Sequence, residues 1–219
     1  MNRLVACAVL GMAVVVAPSC STVTGPTVIG SGNAQTEQRS VGSFTKVRVD
    51  AAIKATIIVG TDFNVTVTTD DNVLASVATT VTAGRLYVEM NSPAQPRTPV
   101  TVSISMPTLD DVQAGSAATV TATGVNSPSL SATADSAGTL VVRGNAAAVD
   151  VTANSAGTAD LGGVPAQTAT VRVGSAGRAT VNAQQSVTGS VDSGGVVTVV
   201  GSPPTVNIST STGGAVVRN

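Results

Sequence analysis

From Leu109 onward, one pattern of apolar and polar positions recurs about every 19 residues. Each repeat is anchored by a hydroxyl residue followed by two very small ones: Ser116-Ala117-Ala118, Ser136-Ala137-Gly138, Ser155-Ala156-Gly157, Ser175-Ala176-Gly177, Ser193-Gly194-Gly195 and Thr212-Gly213-Gly214. The anchors are spaced 20, 19, 20, 18 and 19 residues apart. A second small residue follows the first five by eight positions: Gly124, Gly144, Gly163, Ala183 and Gly201. The positions six, four and two before each anchor are Ala, Val, Leu or Ile in fifteen of eighteen cases, the exceptions being Asp110, Gly189 and Thr210. The two positions between them are polar in every repeat, from Asp111 and Gln113 to Asn207 and Ser209.

A period of two with one apolar face predicts a half-buried strand. The small pair after each anchor then permits a tight corner. A second strand follows, with Val120/Ala122, Leu140/Val142, Ala159/Leu161, Ala179/Val181 and Val197/Val199 as inward pairs. The small residue at the eighth position makes the next corner. One repeat is too short to bury a core alone, so the repeats must stack. The fold class that follows is all-β: a right-handed parallel β-helix, or β-solenoid, of about 19 residues per coil, with an antiparallel β-sandwich as its competitor. Asp110 falls at an inward position, which implies either a later register or a capped turn.

The stretch before Leu109 alternates less regularly. Val47/Val49, Ile53/Ala55/Ile57, Phe63/Val65/Val67 and Val100/Val102/Ile104/Met106 read as strands, and Arg85–Met90 as another after the turn at Ala83-Gly84. Val73–Thr82 fits either a strand or a short helical turn, and Asn91–Pro99 a loop. Residues 41–219 thus form one domain, with irregular coils over 41–108 and regular coils over 109–219.

The chain opens with Arg3 and an apolar run from Leu4 to Ala17. That is the form of a secretory signal over residues 1–19, too short for an ordinary membrane span. The run ends Ala17-Pro18-Ser19-Cys20, similar to a bacterial lipobox, with Ala17 where Leu is preferred. On this reading Cys20 is the lipid attachment site and the first mature residue. The other cysteine, Cys7, lies inside the signal, so no intrachain disulfide is expected. Residues 20–40, rich in Ser, Thr, Gly and Gln after the cysteine, read as a flexible tether.

Composition narrows the function classes. One Tyr, two Phe and no Trp leave a core of Ala and Val, and a net charge of −1 gives no basic footprint for nucleic acid. The chain has no His, which removes Ser-His-Asp triads and imidazole metal sites. The carboxylate pairs Asp70-Asp71 and Asp110-Asp111 occupy neighbouring positions, whose side chains face opposite ways along a strand. Asp111 and Asp150 share a repeat position but lie two coils apart, with Ser131 between them. No catalytic, metal or cofactor residues are therefore expected.

Several segments resemble the autotransporter adhesin head domain family, also called the GIN domain. They are Gly30-Ser31-Gly32-Asn33, Val41-Gly42-Ser43-Phe44-Thr45-Lys46-Val47-Arg48-Val49, Ile53-Lys54-Ala55-Thr56-Ile57, Asp71-Asn72-Val73-Leu74, Gly84-Arg85-Leu86-Tyr87-Val88 and the Ser-Ala-Gly series. The resemblance covers about residues 30–219. It departs where the family places acidic residues after the small turn: Thr119, Thr139, Thr158, Arg178, Val196 and Ala215 stand there. An acidic cation-binding ladder at that position is therefore missing.

The resulting expectation is a non-enzymatic envelope lipoprotein for adhesion, ligand binding or scaffolding. Its partners would be the membrane, through Cys20, and an envelope polysaccharide or envelope protein. The alternatives are an extracytoplasmic sensory module and, behind it, a carbohydrate-active β-helix enzyme.

Overall fold

The computed structural model describes residues 26–219. The signal segment, Cys20 and the first part of the tether lie outside the described residues. The rest is a β-solenoid of about five stacked turns.

Two hydrogen-bonded ladders run the length of the stack. One begins with the antiparallel hairpin Val77–Thr82 and Arg85–Met90, continues through Lys46–Val49 and Asp111–Ala114, and passes coil by coil in parallel register to Thr205–Thr210. The other begins with Ala34–Arg39 antiparallel to Asn64–Asp70, then Thr101–Met106 and Lys54–Val59. It continues through Thr119 and its equivalents to Ala215–Arg218. The expected inward residues of the regular coils are buried, including Leu130, Leu140, Leu161 and Val181 at 0% exposure. Asp110 is half-buried at a bend immediately before the strand Asp111–Ala114, so the inward pattern starts at Val112.

Three differences from the sequence reading stand out. First, the tether expected over residues 20–40 is ordered in its second half. Ala34–Arg39 is a strand, and Val28–Ile29 pairs with Ala94–Gln95 in what was expected to be a loop. Ala34–Arg39 has no apolar alternation because it is an edge strand; its charged Glu37 and Arg39 suit a position where further pairing must be discouraged. Second, the early coils contain antiparallel pairs as well as parallel ones. Val73–Thr82 is both of the expected alternatives, a short 3-10 turn at Leu74–Ser76 followed by the strand Val77–Thr82. Third, the corner after the eighth position does not end the strand. The ladder continues from Thr119 to Ala134 with a register shift between Ala122 and Val125. Such bulges absorb the extra residue that makes some repeats longer than others.

The anchor corners are tight turns with positive φ at both central residues, for example 48° at Ser155 and 62° at Ala156. Each left-handed non-glycine residue costs roughly 1–2 kcal/mol. Two hydrogen bonds offset that cost. Gly157 N–H closes the turn to Asn154 O at 2.7 Å, and Ala156 N–H donates to Ser175 O of the next coil at 2.9 Å. The second bond recurs at every corner, from Ala52 to Ser116 through Ala176 to Ser193 and Gly194 to Thr212.

Where the third residue is glycine, from Gly138 onward, it serves close approach and not a positive φ. A Cβ on Gly157 would lie 2.3 Å from Ala134 O, and on Gly177 2.1 Å from Ala153 O. Main chain cannot yield as a flexible side chain does, so Gly157→Ala should destabilise by about 1–3 kcal/mol, the range for overpacking. Ala156→Gly, one residue earlier, relieves a left-handed Cβ and should leave stability unchanged or raise it by up to about 1 kcal/mol. Urea unfolding midpoints check the pair; equal losses for both would contradict this account of the corner.

Candidate ligand-binding groove

Outward residues form columns across the coils. Tyr87, Arg48, Gln113, Thr133, Thr152, Arg172, Ser190 and Ser209 stand in register on one face. Beside this column run the residues that open each corner: Asp50, Gly115, Asp135, Asn154, Gly174, Asp192 and Ser211. Where Gly115 replaces a polar side chain, a hollow of about 80 Å³ opens between Asp50 and Asp135. Arg48, Gln113, Ser116 and Thr133 help to line it.

Arg48 Nε donates to Asp50 Oδ2 at 2.6 Å. This bond raises the Arg48 pKa against the opposing effect of burial, so the guanidinium stays charged. Ser116 Oγ reaches Asp50 Oδ1 at 3.4 Å. Asp135 Oδ1 accepts the Ser136 N–H at 2.8 Å. Among the described residues, the side chains of Gln113, Thr133 and Ser136 have no hydrogen-bond partner within the protein. The groove thus combines an ion pair, a second carboxylate and several free polar groups.

The carboxylates considered from sequence have other roles. Asp111 pairs with Arg85 at 2.6 Å, both side chains mostly buried, and this hydrogen bond raises the Arg85 pKa against burial. Asp150 pairs with Arg172 at 2.7 Å. Asp110 accepts from Ser127 Oγ at 3.2 Å. Register separates Asp111 from Asp150 by Ser131, as the repeat spacing implied. Among the described residues no group of three or more His, Cys, Asp or Glu could hold a metal ion. The lipid-attachment candidate Cys20 lies outside the described residues.

Asp70 and Asp71 form a clasp on the N-terminal segment. Asp70 has no solvent-exposed surface. Its carboxylate accepts from Arg97 N–H at 2.6 Å, Thr98 N–H at 3.1 Å and Gly32 N–H at 3.1 Å. Asp71 accepts from Ser31 Oγ, and Asn72 Nδ2 donates to Ile29 O at 2.7 Å. Gly30 is required beside this carboxylate, since a Cβ there would meet Asp70 Oδ2 at 2.0 Å. The segments Gly30–Asn33 and Asp71–Leu74, distant in sequence, are thus two halves of one structure. The groove, in contrast, was missed. Its signal was the column of residues before each anchor, where Asp, Asn and Ser are interrupted by glycine.

Residues 43–203 match the family described as putative auto-transporter adhesin, head GIN domain. The chain belongs to this family. Its fold is similar to that of a putative adhesin from Bacteroides fragilis, with a TM-score of 0.71 and 17% identity over 88% of this chain and 100% of that one. A putative lipid binding protein from Parabacteroides distasonis gives 0.55 and 14% over 89% and 100%. A putative adhesin from Parabacteroides merdae gives 0.56 and 15% over 89% and 100%. At these identities the likeness concerns the fold. No curated protein matches the sequence.

The clasp yields a pH prediction for this GIN domain. Burial pushes the Asp70 carboxyl up, but the bonds from Thr98, Arg97 and Gly32 outweigh it and hold the pKa below its ordinary value. A depressed folded pKa stabilises fully above the ordinary aspartate value and is lost as pH falls through the folded one. In an NMR titration the amide resonances of Gly32, Arg97 and Thr98 should shift together, with a midpoint below the ordinary value. The Ala156 amide should not follow them. A midpoint at or above the ordinary value would refute the clasp's role.

Proposed function

We propose that this GIN-domain protein is exported, held to the cell envelope through a lipid on Cys20, and acts by binding rather than catalysis. The observation that carries the reading is the long polar face of the solenoid. It presents unpartnered amide and hydroxyl groups in columns along the strands; Asp50 and Asp150 on it pair with Arg48 and Arg172, and Asp135 stands apart from both. The family's adhesin description points the same way. Its ligand would be an envelope polysaccharide or an envelope protein, in an adhesive or scaffolding role.

The structure changes what anchoring would mean. If Cys20 carries the lipid, the first strand of the described residues begins at Val28, eight residues later. Eight residues span at most about 28 Å when fully extended. The clasped end of the solenoid would therefore stay close to the membrane, and its ligand would lie in the adjoining layer. No helix among the described residues is long and apolar enough to cross a membrane.

Two measurements test the reading. Cys20→Ser should move the protein from the membrane fraction to the soluble fraction; unchanged fractionation would rule out the anchor. The purified protein should bind saturably to the producing organism's wall polysaccharide. Binding only to a membrane protein would instead favour a sensory or regulatory module, and no binding to any envelope fraction would refute the binding role.

A further inference from the structure

The geometry points to the groove over Gly115 as a saccharide site, one that takes the hydroxyl-bearing edge of a neutral or amino sugar. This assignment rests on the binding role proposed above and gives that role a location and a ligand class.

The hollow is a local departure from the repeat. Two corners lack a side chain at their first position, Gly115 and Gly174. At Gly174 the gap is closed from both sides: a Cβ there would meet Asp192 Oδ1 at 2.7 Å and Asn154 Oδ1 at 3.2 Å. At Gly115 only Asp50 approaches, with Oδ1 2.4 Å from the Cβ position. The Asp135 carboxylate is turned instead to the N–H of Ser136. One side of the gap is thus left open in this coil, and Gln113 and Thr133 border it without protein partners.

The lining determines the chemistry. Ala114 is the single apolar residue bordering the groove, so an apolar ligand has nothing to bury against. One arginine faces two aspartates, and Arg48 is already committed to Asp50, so the groove carries excess negative charge and disfavours anions. The two carboxylates stand two coils apart, about 10 Å at the ordinary strand spacing. Calcium ligands must lie within roughly 2.3–2.6 Å of the ion, so one cation cannot bridge them. What fits is a ligand presenting several hydroxyls along an edge. Carboxylate oxygens accept from hydroxyls, while the Gln113 amide and the Thr133 hydroxyl can both donate and accept. The length suits two linked sugar rings. Tyr87, half-buried and one coil beyond Arg48 in the ladder, stands outside the groove lining. A hollow this shallow implies weak single-site affinity, raised by many anchored copies acting together.

The test uses the full chain, purified in detergent and immobilised. The probes are cello-oligosaccharides and chito-oligosaccharides as neutral ligands, chitosan oligomers as amino sugars, and polyuronate as the acidic control. Neutral or amino probes should bind, and polyuronate should not. Gly115→Asn, which installs the side chain that Asn154 carries in its own coil, should weaken binding at least tenfold. Gln113→Ala should do likewise. Ser190→Ala, in the same column three coils beyond Thr133, should bind as wild type, and circular dichroism should match for all variants.

The site is overturned if Gly115→Asn and Gln113→Ala bind like wild type, or if Ser190→Ala loses as much as they do. The ligand class is overturned if polyuronate alone binds or if no saccharide binds. Binding to envelope fractions separates the two levels. If it persists while these probes fail, the binding role stands and this assignment falls; if it is absent too, both fall.

Discussion

Each coil of this protein meets the next through main chain at its corner, where one backbone hydrogen bond joins neighbouring coils. The N–H of the second turn residue donates to the carbonyl of the first turn residue one coil on, from Ala52 and Ser116 at one end to Gly194 and Thr212 at the other. From Gly138 onward the third turn residue is a glycine pressed against the previous coil, whereas the first two corners carry Ile53 and Ala118 there. At Gly138 and Gly177 a side chain would come within 2.1 Å of a carbonyl oxygen. With one Tyr and two Phe in the chain, large side chains do not hold the core, and regular main-chain bonding between narrow coils must contribute what bulky packing supplies elsewhere.

Rigidity of this kind has a functional consequence. Outward residues are held in straight columns, one per coil, so a ligand can meet several polar groups at fixed spacing without ordering a loop. Departures from the repeat then become the informative positions. Gly115 is one, because it removes a side chain where Asp135, Asn154 and Asp192 keep theirs. The clasp is another, because Asp70, Asp71 and Asn72 fasten the incoming chain to the end of the stack. It makes the domain begin well before the regular strands, within a few residues of the proposed anchor.

The regular coils were legible because their signal is redundant. Six anchors with alternating flanks specify both the strands and the inward face, and residues such as Leu140 and Val181 are buried where the alternation put them. The corner was legible only in part. Positive φ was expected of the small residues, yet it falls on the anchor Ser as well, and the glycine after it serves close approach. The N-terminal cap was illegible because its strands are short, polar and paired with distant segments. Nothing in Ala34–Arg39 itself shows that Asn64–Asp70 awaits it. The groove is faint in the sequence for a related reason: it is a glycine interrupting a column of Asp, Asn and Ser, and its neighbours come together only in space. Family resemblance supplied the two halves of the clasp as separate motifs, and only the fold joined them.

The corners are hydrogen-bonded from coil to coil. Native-state amide hydrogen exchange measures this directly. The N–H groups of Ala117, Ala137, Ala156 and Ala176 should be as strongly protected as inward strand amides such as those of Val120 and Val151. Exchange at these four positions at the rate of exposed turns, with the strands still protected, would contradict it.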